Sequence, residues 1–238
     1  MIQYAQYSLC LIVTFFILCG NGAAARRPNV KDRLLSFTYA FDTKLRPFFE
    51  KKLLVTAGNY GRMIRMHGPS NVGESVVSVH CSTELKDSNA MCQVTVTRAM
   101  ANMDYIWQEH QGDDNPSRYI QEIPVVREDA QIPKSVAEAF RECLRIMIPE
   151  PADPNVLHPL TIADNDRIEF WLEESTSAPR KGERAEQPGP QTKRLIHMGE
   201  LLTRYCEASP SEREAIAAKI RQEAAHILSA EPRGAGLH

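Results

Sequence analysis

Two segments with alternating side chains, residues 75–82 and 91–98, constrain the fold of this chain more than any other feature. In each segment, apolar or Cys side chains occupy every second position, starting at Val77 and at Cys92. This period of two is typical of a β-strand whose two faces differ in polarity. The intervening segment 84–90 contains the turn-forming sequence Asp-Ser-Asn, so the two strands are predicted to form an antiparallel hairpin.

A register in which paired position numbers sum to 173 places the apolar side chains of both strands on one face. It makes two apolar pairs on that face and two polar pairs on the other: Val77 with Val96, Val79 with Val94, Ser78 with Thr95, and His80 with Gln93. A slip by one residue would exchange the buried and the solvated face, so the register is strongly specified. We therefore expect the polar face of the hairpin to be in contact with water.

The same register places Cys81 directly opposite Cys92 on the apolar face. Opposed residues of antiparallel strands have a Cβ separation close to the one that a disulfide requires. In an oxidising compartment the two residues are expected to be bonded, and in a reducing compartment they would be buried free thiols. The choice depends on where the protein resides.

Residues 1–25 have the features of a secretory signal peptide. The apolar run Leu9–Cys19 is followed by small residues, and the alanines before Arg26 predict cleavage after Ala25. The run is shorter than the roughly twenty residues that cross a bilayer. Basic residues follow the run and none precedes it, which disfavours export. We expect a secreted or periplasmic protein, and the alternatives are an uncleaved membrane anchor or a buried N-terminal element.

Four of the six cysteines would remain after cleavage, namely Cys81, Cys92, Cys143 and Cys206. An even number in an exported protein predicts two disulfides, and four cysteines allow three connectivities. The hairpin favours the bond between Cys81 and Cys92. Cys143 and Cys206 would then form the second bond or remain buried thiols. No C-x-x-C spacing occurs, so the sequence supports neither a zinc ribbon nor a thioredoxin-like motif.

Helical periodicity predicts a central helix over residues 133–147 and a pair of C-terminal helices. Each predicted helix carries one apolar stripe. The stripes contain Val136, Phe140, Cys143, Leu144 and Met147, then Leu195, Met198, Gly199, Leu202, Tyr205 and Cys206, and finally Ile216, Ile220, Ala224 and Ile227. Ser209-Pro210-Ser211-Glu212 is a capping box with proline at the first helical position, which marks the start of the last helix.

These elements predict an α+β fold with a small antiparallel sheet packed on the central helix. Residues 167–174 alternate between apolar and acidic or aromatic side chains, and are expected to add a half-exposed strand. A segment that contains no apolar residue beyond two alanines separates this strand from the C-terminal helical hairpin. The predicted parts are a signal peptide 1–25, an α+β domain 26–174, a flexible linker 175–191, the helical hairpin 192–229 and a disordered tail 230–238.

Two regions of the predicted domain, residues 29–58 and 99–131, have no single clear periodicity. Pro47 is expected to break any long helix in the first region, and residues 52–56 suggest the start of a strand. In the second region, residues 105–107 suggest a strand extension, and the proline in residues 123–126 restricts that extended segment to an edge or the end of a sheet.

One weak cluster of chemically capable residues stands out, and it is formed by His158, Asp164, Asp166 and Glu169 with Trp171 nearby. A histidine and acids before a strand suit a cation or a nucleophile, but Asp and Asn at this position also make turns. The 7 histidines show no metal-ligand spacing, and no phosphate-binding or hydrolase motif occurs. We predict neither a metal nor a cofactor and assign no catalytic residue.

The charge distribution is asymmetric, although the net charge of the chain is only −2. Residues 26–65 contain ten basic and three acidic side chains. This segment either meets an anionic partner or packs against the acidic remainder of the chain. No basic run in it is dense enough, or interleaved with enough aromatic residues, to indicate nucleic-acid binding, so no nucleic-acid partner is expected.

Together these observations favour an exported, non-enzymatic protein that binds a macromolecular partner, either an unknown protein or a component of the cell envelope. Two alternatives remain. One is a secreted hydrolase with its site near residues 158–169. The other is a membrane-tethered scaffold that retains residues 1–25 and holds its basic segment against anionic lipid. A membrane contact is expected only if the N-terminal segment is retained.

Overall fold

The computed structural model describes seven stretches of the chain, and all of them lie beyond residue 33. They are residues 34–36, 45–66, 72–82, 90–148, 167–173, 179–184 and 187–230. The predicted signal peptide 1–25 and most of the predicted tail 230–238 therefore lie outside the described residues.

Seven described strands form one antiparallel sheet in the order β1-β7-β6-β2-β3-β4-β5. They are β1 Leu35–Ser36, β2 Gly61–Met66, β3 Ser75–His80, β4 Met91–Ala99, β5 Val125–Pro133, β6 Arg167–Leu172 and β7 Arg180–Glu183. The described helices are α1 Arg46–Leu53, α2 Met103–His110, α3 Ser117–Glu122, α4 Lys134–Met147, α5 Pro190–Glu207 and α6 Pro210–Ala230. The fold is α+β, as the sequence predicts.

The two faces of the sheet pack against different groups of helices. We call the face that carries Val77 and Val94 the first face, and the face that carries Ile64 and Val76 the second face. Helices α4 and α5 pack on the first face, and α6 packs on these two helices. Helices α1, α2 and α3 cover the second face. The sheet is therefore the middle layer of three.

The predicted hairpin register is confirmed at every predicted pair that lies within strands β3 and β4. The prediction that its polar face is solvated is wrong, because Ser78 is only 1% exposed and Thr95 only 3% exposed. Helices α1–α3 cover this face. Alternation showed which side chains share a face, but it gave no sign of a second helical layer.

Two further predictions on the far side of the sheet need correction. Strand β6 is buried on both faces, not half-exposed, because it lies between β2 and β7. Strand β7 lies inside the predicted flexible linker 175–191 and pairs with β6 along its length. Gly182 of β7 packs against Leu34, and an added Cβ there would lie 2.9 Å from the Leu34 Cβ. Backbone pairing and this close approach hold a strand that has no apolar pattern.

Both regions that had no clear periodicity contain helices where strands were suggested. Residues 52–53 belong to the end of α1, and Pro47 lies in the first turn of that helix, where proline is tolerated. Residues 105–107 lie in α2. The Asn102 side chain caps α2 by accepting a hydrogen bond of 2.8 Å from the Tyr105 N–H. These suggested strands are therefore wrong.

The three predicted apolar stripes of α4, α5 and α6 are all buried in the first-face core. Helix α5 approaches the sheet closely at Gly199, where an added Cβ would lie 2.2 Å from the Met63 sulfur. Ser209 and Glu212 form the expected cap of α6, since the Ser209 N–H donates to the Glu212 carboxylate at 3.0 Å. The C-terminal hairpin thus shares its core with the sheet.

Candidate functional site

The disulfide between Cys81 and Cys92 joins the end of β3 to the start of β4 on the first face, with a Cα–Cα distance of 4.5 Å. Both residues are buried. The Asn59 side chain bonds both backbone groups of Cys81, donating to its carbonyl at 2.6 Å and accepting from its N–H at 2.9 Å. The bond therefore lies in a well-supported structural position.

The prediction of a second disulfide between Cys143 and Cys206 is wrong, since both residues are free and buried. The Cys143 Sγ lies 3.9 Å from the Ala224 carbonyl oxygen in α6, whereas the Cys206 Sγ lies 3.5 Å from the Val94 carbonyl oxygen in β4. The two side chains point at different neighbours. Burial raises the pKa of each thiol to about 12, which keeps both unreactive at neutral pH.

Only part of the predicted cluster near residues 158–169 lies within the described residues. His158, Asp164 and Asp166 lie outside the described residues, whereas Glu169 and Trp171 lie on the second face of β6. Glu169 is 2% exposed. Its carboxylate accepts a hydrogen bond of 3.0 Å from the Trp171 indole N–H and lies 3.3 Å from the Arg167 Nε.

A network of charged groups surrounds these two residues. Arg167 also pairs with Glu183 of β7 at 3.0 Å. Two cations lie over the Trp171 ring, since the Lys181 Nζ is 3.8 Å and the Arg46 guanidinium carbon is 5.3 Å from the ring centroid. These contacts tie α1, β6 and β7 together.

The pKa directions within this network follow from burial. Burial raises the pKa of Glu169, and the Arg167 charge opposes that rise. Burial likewise raises the pKa of Glu183 and lowers the pKa of Lys181. Glu169 and Glu183 both pair with Arg167, which thereby links β6 to β7. This arrangement is typical of a structural ion-pair network.

A second polar group on this face lies around Arg62, which is opposite Ser78 in the register. Arg62 pairs with the Glu173 carboxylate at 2.8 Å and donates to the Thr56 carbonyl at 2.7 Å. Burial lowers the pKa of Arg62. The guanidinium of Arg62 is neutralised by Glu173, and its hydrogen bond to Thr56 links the loop before β2 to the sheet.

The open edge of β5 is the first feature of the described surface that suits a partner. Lys134 N donates to Ala90 O at 3.0 Å, and Met100 N donates to Pro124 O at 2.9 Å. Even-numbered residues of this segment therefore bond to β4, and the odd-numbered residues direct their N–H and C=O groups outward. Among the described strands, none lies beyond β5.

Exposed apolar side chains adjoin the start of this edge. Val72, Met100 and Val126 are 54%, 59% and 41% exposed. They come from the segment before β3, the end of β4 and the start of β5, and we call them the apolar patch. The backbones of these segments are neighbours, because Met100 N donates to Pro124 O and an added Cβ at Gly73 would lie 1.9 Å from the Ala99 carbonyl oxygen.

Sequence reasoning missed both the edge and the apolar patch. It assigned an extended backbone only to residues 123–126, because the charged residues that follow hide the strand. The signal that was present is the alternation of Ala130 and Ile132 before Pro133. The patch leaves no local signal, since its three members are far apart in the sequence.

The described residues contain no group of three or more His, Cys, Asp or Glu side chains that could hold a metal ion. None of the described helices has the length and apolar character needed to span a membrane.

Comparison with known proteins returned no match to this chain among family models, curated proteins or solved structures. A functional hypothesis for this chain therefore depends on the chemistry and geometry of its own surface.

Proposed function

We propose that this chain is an exported protein that acts by binding a macromolecular partner at the apolar patch and the adjoining edge of β5. The observation that carries the proposal is that three exposed apolar side chains come from neighbouring backbone segments at the start of an outward row of backbone donors and acceptors. Strand addition to an open edge uses the backbone for affinity and neighbouring side chains for specificity.

The composition around the patch supports a protein partner. Large exposed apolar side chains with a charged rim are typical of protein interaction sites. Arg98 provides such a rim, since it pairs with Glu207 and lies 3.6 Å from the Glu128 carboxylate. A partner that covered the patch would bury apolar surface. Arg98 would keep its ion pairs with Glu207 and Glu128.

Export is supported by the disulfide and by the signal-like residues 1–25. The bond between Cys81 and Cys92 is expected to persist in an oxidising compartment. Two free cysteines are compatible with the same compartment, because Cys143 and Cys206 are buried and have raised pKa values. We infer secretion or a periplasmic location from this combination.

The hydrolase alternative receives less support from the described residues. Glu169 accepts a hydrogen bond from Trp171 and pairs with Arg167, and these contacts give the carboxylate a structural use. The alternative therefore depends on His158, Asp164 and Asp166. The membrane-tethered alternative depends on residues 1–25, and it stays a prediction.

The export half of the proposal is tested by mass spectrometry of native protein under non-reducing conditions. We expect a chain that starts at Arg26 with one disulfide and two free thiols. A chain that retains Met1 and has all six cysteines as free thiols after denaturation would contradict export.

The binding half is tested by photo-crosslinking in the native host. Met100→Asp places a charge in the apolar patch, and Val55→Asp is the matched control. Val55 is 58% exposed in the loop before β2, at the disulfide end of the sheet. We expect Met100→Asp to abolish the crosslinked species and Val55→Asp to retain it. If Met100→Asp forms as much of the crosslinked species as Val55→Asp does, the proposed binding site is wrong.

A further inference from the structure

We infer that the open edge of β5 binds the same edge of a second copy of this chain, so that two sheets join across a two-fold axis. The inference rests on the proposed function for its site and names the partner there. An open strand edge is a template for pairing with another chain. What identifies the occupant here is the order of charges along the edge.

A two-fold axis pairs antiparallel strands so that the numbers of opposed residues have a constant sum. Residues with outward backbone groups must oppose each other for hydrogen bonds to form. Along β5 these are Val125, Arg127, Asp129 and Gln131. Pro133, an odd-numbered residue that has no N–H, ends this row at the C-terminal end of β5.

Charge selects one register of this pairing. When opposed numbers sum to 256, Arg127 of each copy lies opposite Asp129 of the other, and both residues are exposed. A shift in one direction would place Arg127 opposite itself, and a shift in the other would place Asp129 opposite itself. Directly opposed unlike charges stabilise antiparallel strands and like charges destabilise them. The strand is therefore complementary to itself in a single register.

In the same register, the remaining opposed residues of the two strands are also compatible with each other. Val125 lies opposite Gln131, and the exposed Val126 is covered by Ala130 of the second copy. The Gln131 carbonyl accepts a hydrogen bond of 2.9 Å from Tyr205 and retains a second lone pair for the new strand.

Glu128 lies on the axis opposite its own copy, which is the one unfavourable pair of this register. The Arg98 Nη1 lies 3.6 Å from the Glu128 carboxylate, so each of the two opposed charges has a cation beside it. Removal of this charge is therefore expected to tighten the dimer.

Analytical ultracentrifugation of the mature chain over a range of concentrations tests the inference. We expect a monomer–dimer equilibrium for the wild type. Arg127→Asp and Asp129→Arg each oppose like charges twice and are expected to raise the dimer Kd at least about tenfold. Glu128→Gln is expected to lower the Kd.

The decisive arm mixes the two charge variants. Arg127→Asp presents two acids and Asp129→Arg presents two bases, so a mixture is expected to form a heterodimer at concentrations where each variant alone associates weakly. The double variant R127D/D129R is expected to regain the homodimer. Arg221→Asp reverses a half-buried charge on α6, far from β5 in the sequence, and serves as the control, with an unchanged Kd.

The mixing arm also detects misfolding. Asp129 accepts hydrogen bonds from Thr95 at 2.5 Å and Gln93 at 3.2 Å, so a variant that failed to fold would give no heterodimer and a lost thermal transition. The Glu128→Gln variant leaves these bonds intact and tests the same register independently.

Three outcomes would overturn the inference. They are a wild-type chain that stays monomeric at every concentration, a dimer that the charge variants leave unchanged, and single variants that fold but do not complement each other. A monomeric chain that forms a crosslinked species, which Met100→Asp abolishes and Val55→Asp retains, would refute self-pairing and retain the proposed function. A dimer with the expected charge pattern, together with crosslinking that Met100→Asp leaves unchanged, would refute the apolar patch and retain the inference.

Discussion

The two sides of the sheet are built on different principles. On the first face, long helices bury apolar stripes against the sheet, and Thr192 is the polar residue buried on that side among those described. On the second face, short helices cover a layer that contains buried Arg62, Glu74, Ser78 and Glu169. One side is held mainly by apolar burial, and the other also depends on specific polar partners.

The contrast shows what kind of contact each side needs to fold. Apolar burial is non-directional, so no single side chain of the first face needs one specific polar partner. A buried charge or amide needs a correctly placed partner, since its loss costs the desolvation of whatever remains. We therefore expect the first face to account for most of the stability and the second face to show the sharper dependence on single polar groups.

The largest expected effect is the loss of a buried ring on the first face. Phe140 is fully buried in α4, and Phe140→Ala should lower the free energy of unfolding by about 3–5 kcal/mol. Phe49→Ala on the second face is the matched variant. It should cost less, because the eight-residue helix α1 can move to fill part of the cavity. Urea denaturation measures the free energy of unfolding of both variants. A larger loss for Phe49→Ala would contradict the greater contribution of the first face to stability.

Sequence predicted the first side well, because that side is made of locally periodic elements. The β3–β4 register and the stripes of α4, α5 and α6 each follow from residues that are close in sequence. The second side was missed because α1 buries only Phe49 and Leu53, and α2 buries only Met103. Helices this short leave little periodic signal.

The remaining misses depend on contacts between distant residues. Glu74 caps α2 from 29 residues away, and β7 is held by pairing with β6 and not by apolar side chains. Of the candidate site, sequence located Glu169 but not its burial. The β5 edge becomes evident only when strand order shows that β5 has one neighbour among the described strands.

The disulfide allows a second test of the first face. Replacement of Cys81 and Cys92 by alanine together opens a loop with a sequence separation of 11. The chain-entropy model predicts a loss of about 2–3 kcal/mol in unfolding free energy. The wild type treated with a reductant should show a similar loss by urea denaturation. Cys143→Ala should show no change in its response to the reductant, and an altered response would indicate that this thiol exchanges with the bond.

A smaller effect is expected from the long-range cap on the second face. The Glu74 carboxylate accepts hydrogen bonds of 2.9 Å and 3.0 Å from the Met103 N–H, so Glu74→Ala leaves a buried donor without its acceptor. We expect a loss of about 1–3 kcal/mol, with faster amide hydrogen exchange confined to α2. Glu74→Gln keeps an acceptor and should retain most of the protection. Uniformly faster exchange across all helices would contradict a local capping role.

The smallest expected effect is a difference in pH dependence between two carboxyl groups, one on each side of the sheet. Burial raises the folded-state pKa of Glu169 above its ordinary value of 4.5. The folded state then holds this proton more tightly than the unfolded state does. The stabilising contribution is complete below the unfolded pKa and is lost as the pH rises through the folded pKa.

Glu212 has the opposite sign, because hydrogen bonds from Ser209 lower its folded-state pKa below 4.5. Its contribution is present above the unfolded pKa and is lost as the pH falls through the folded pKa. Glu169→Gln should therefore flatten the fall in stability just above pH 4.5, whereas Glu212→Gln should flatten the fall below it. Urea denaturation across this pH range measures both slopes. Slopes that change in the same direction would mean that the second face does not hold Glu169 in the buried, arginine-paired position on which the contrast depends.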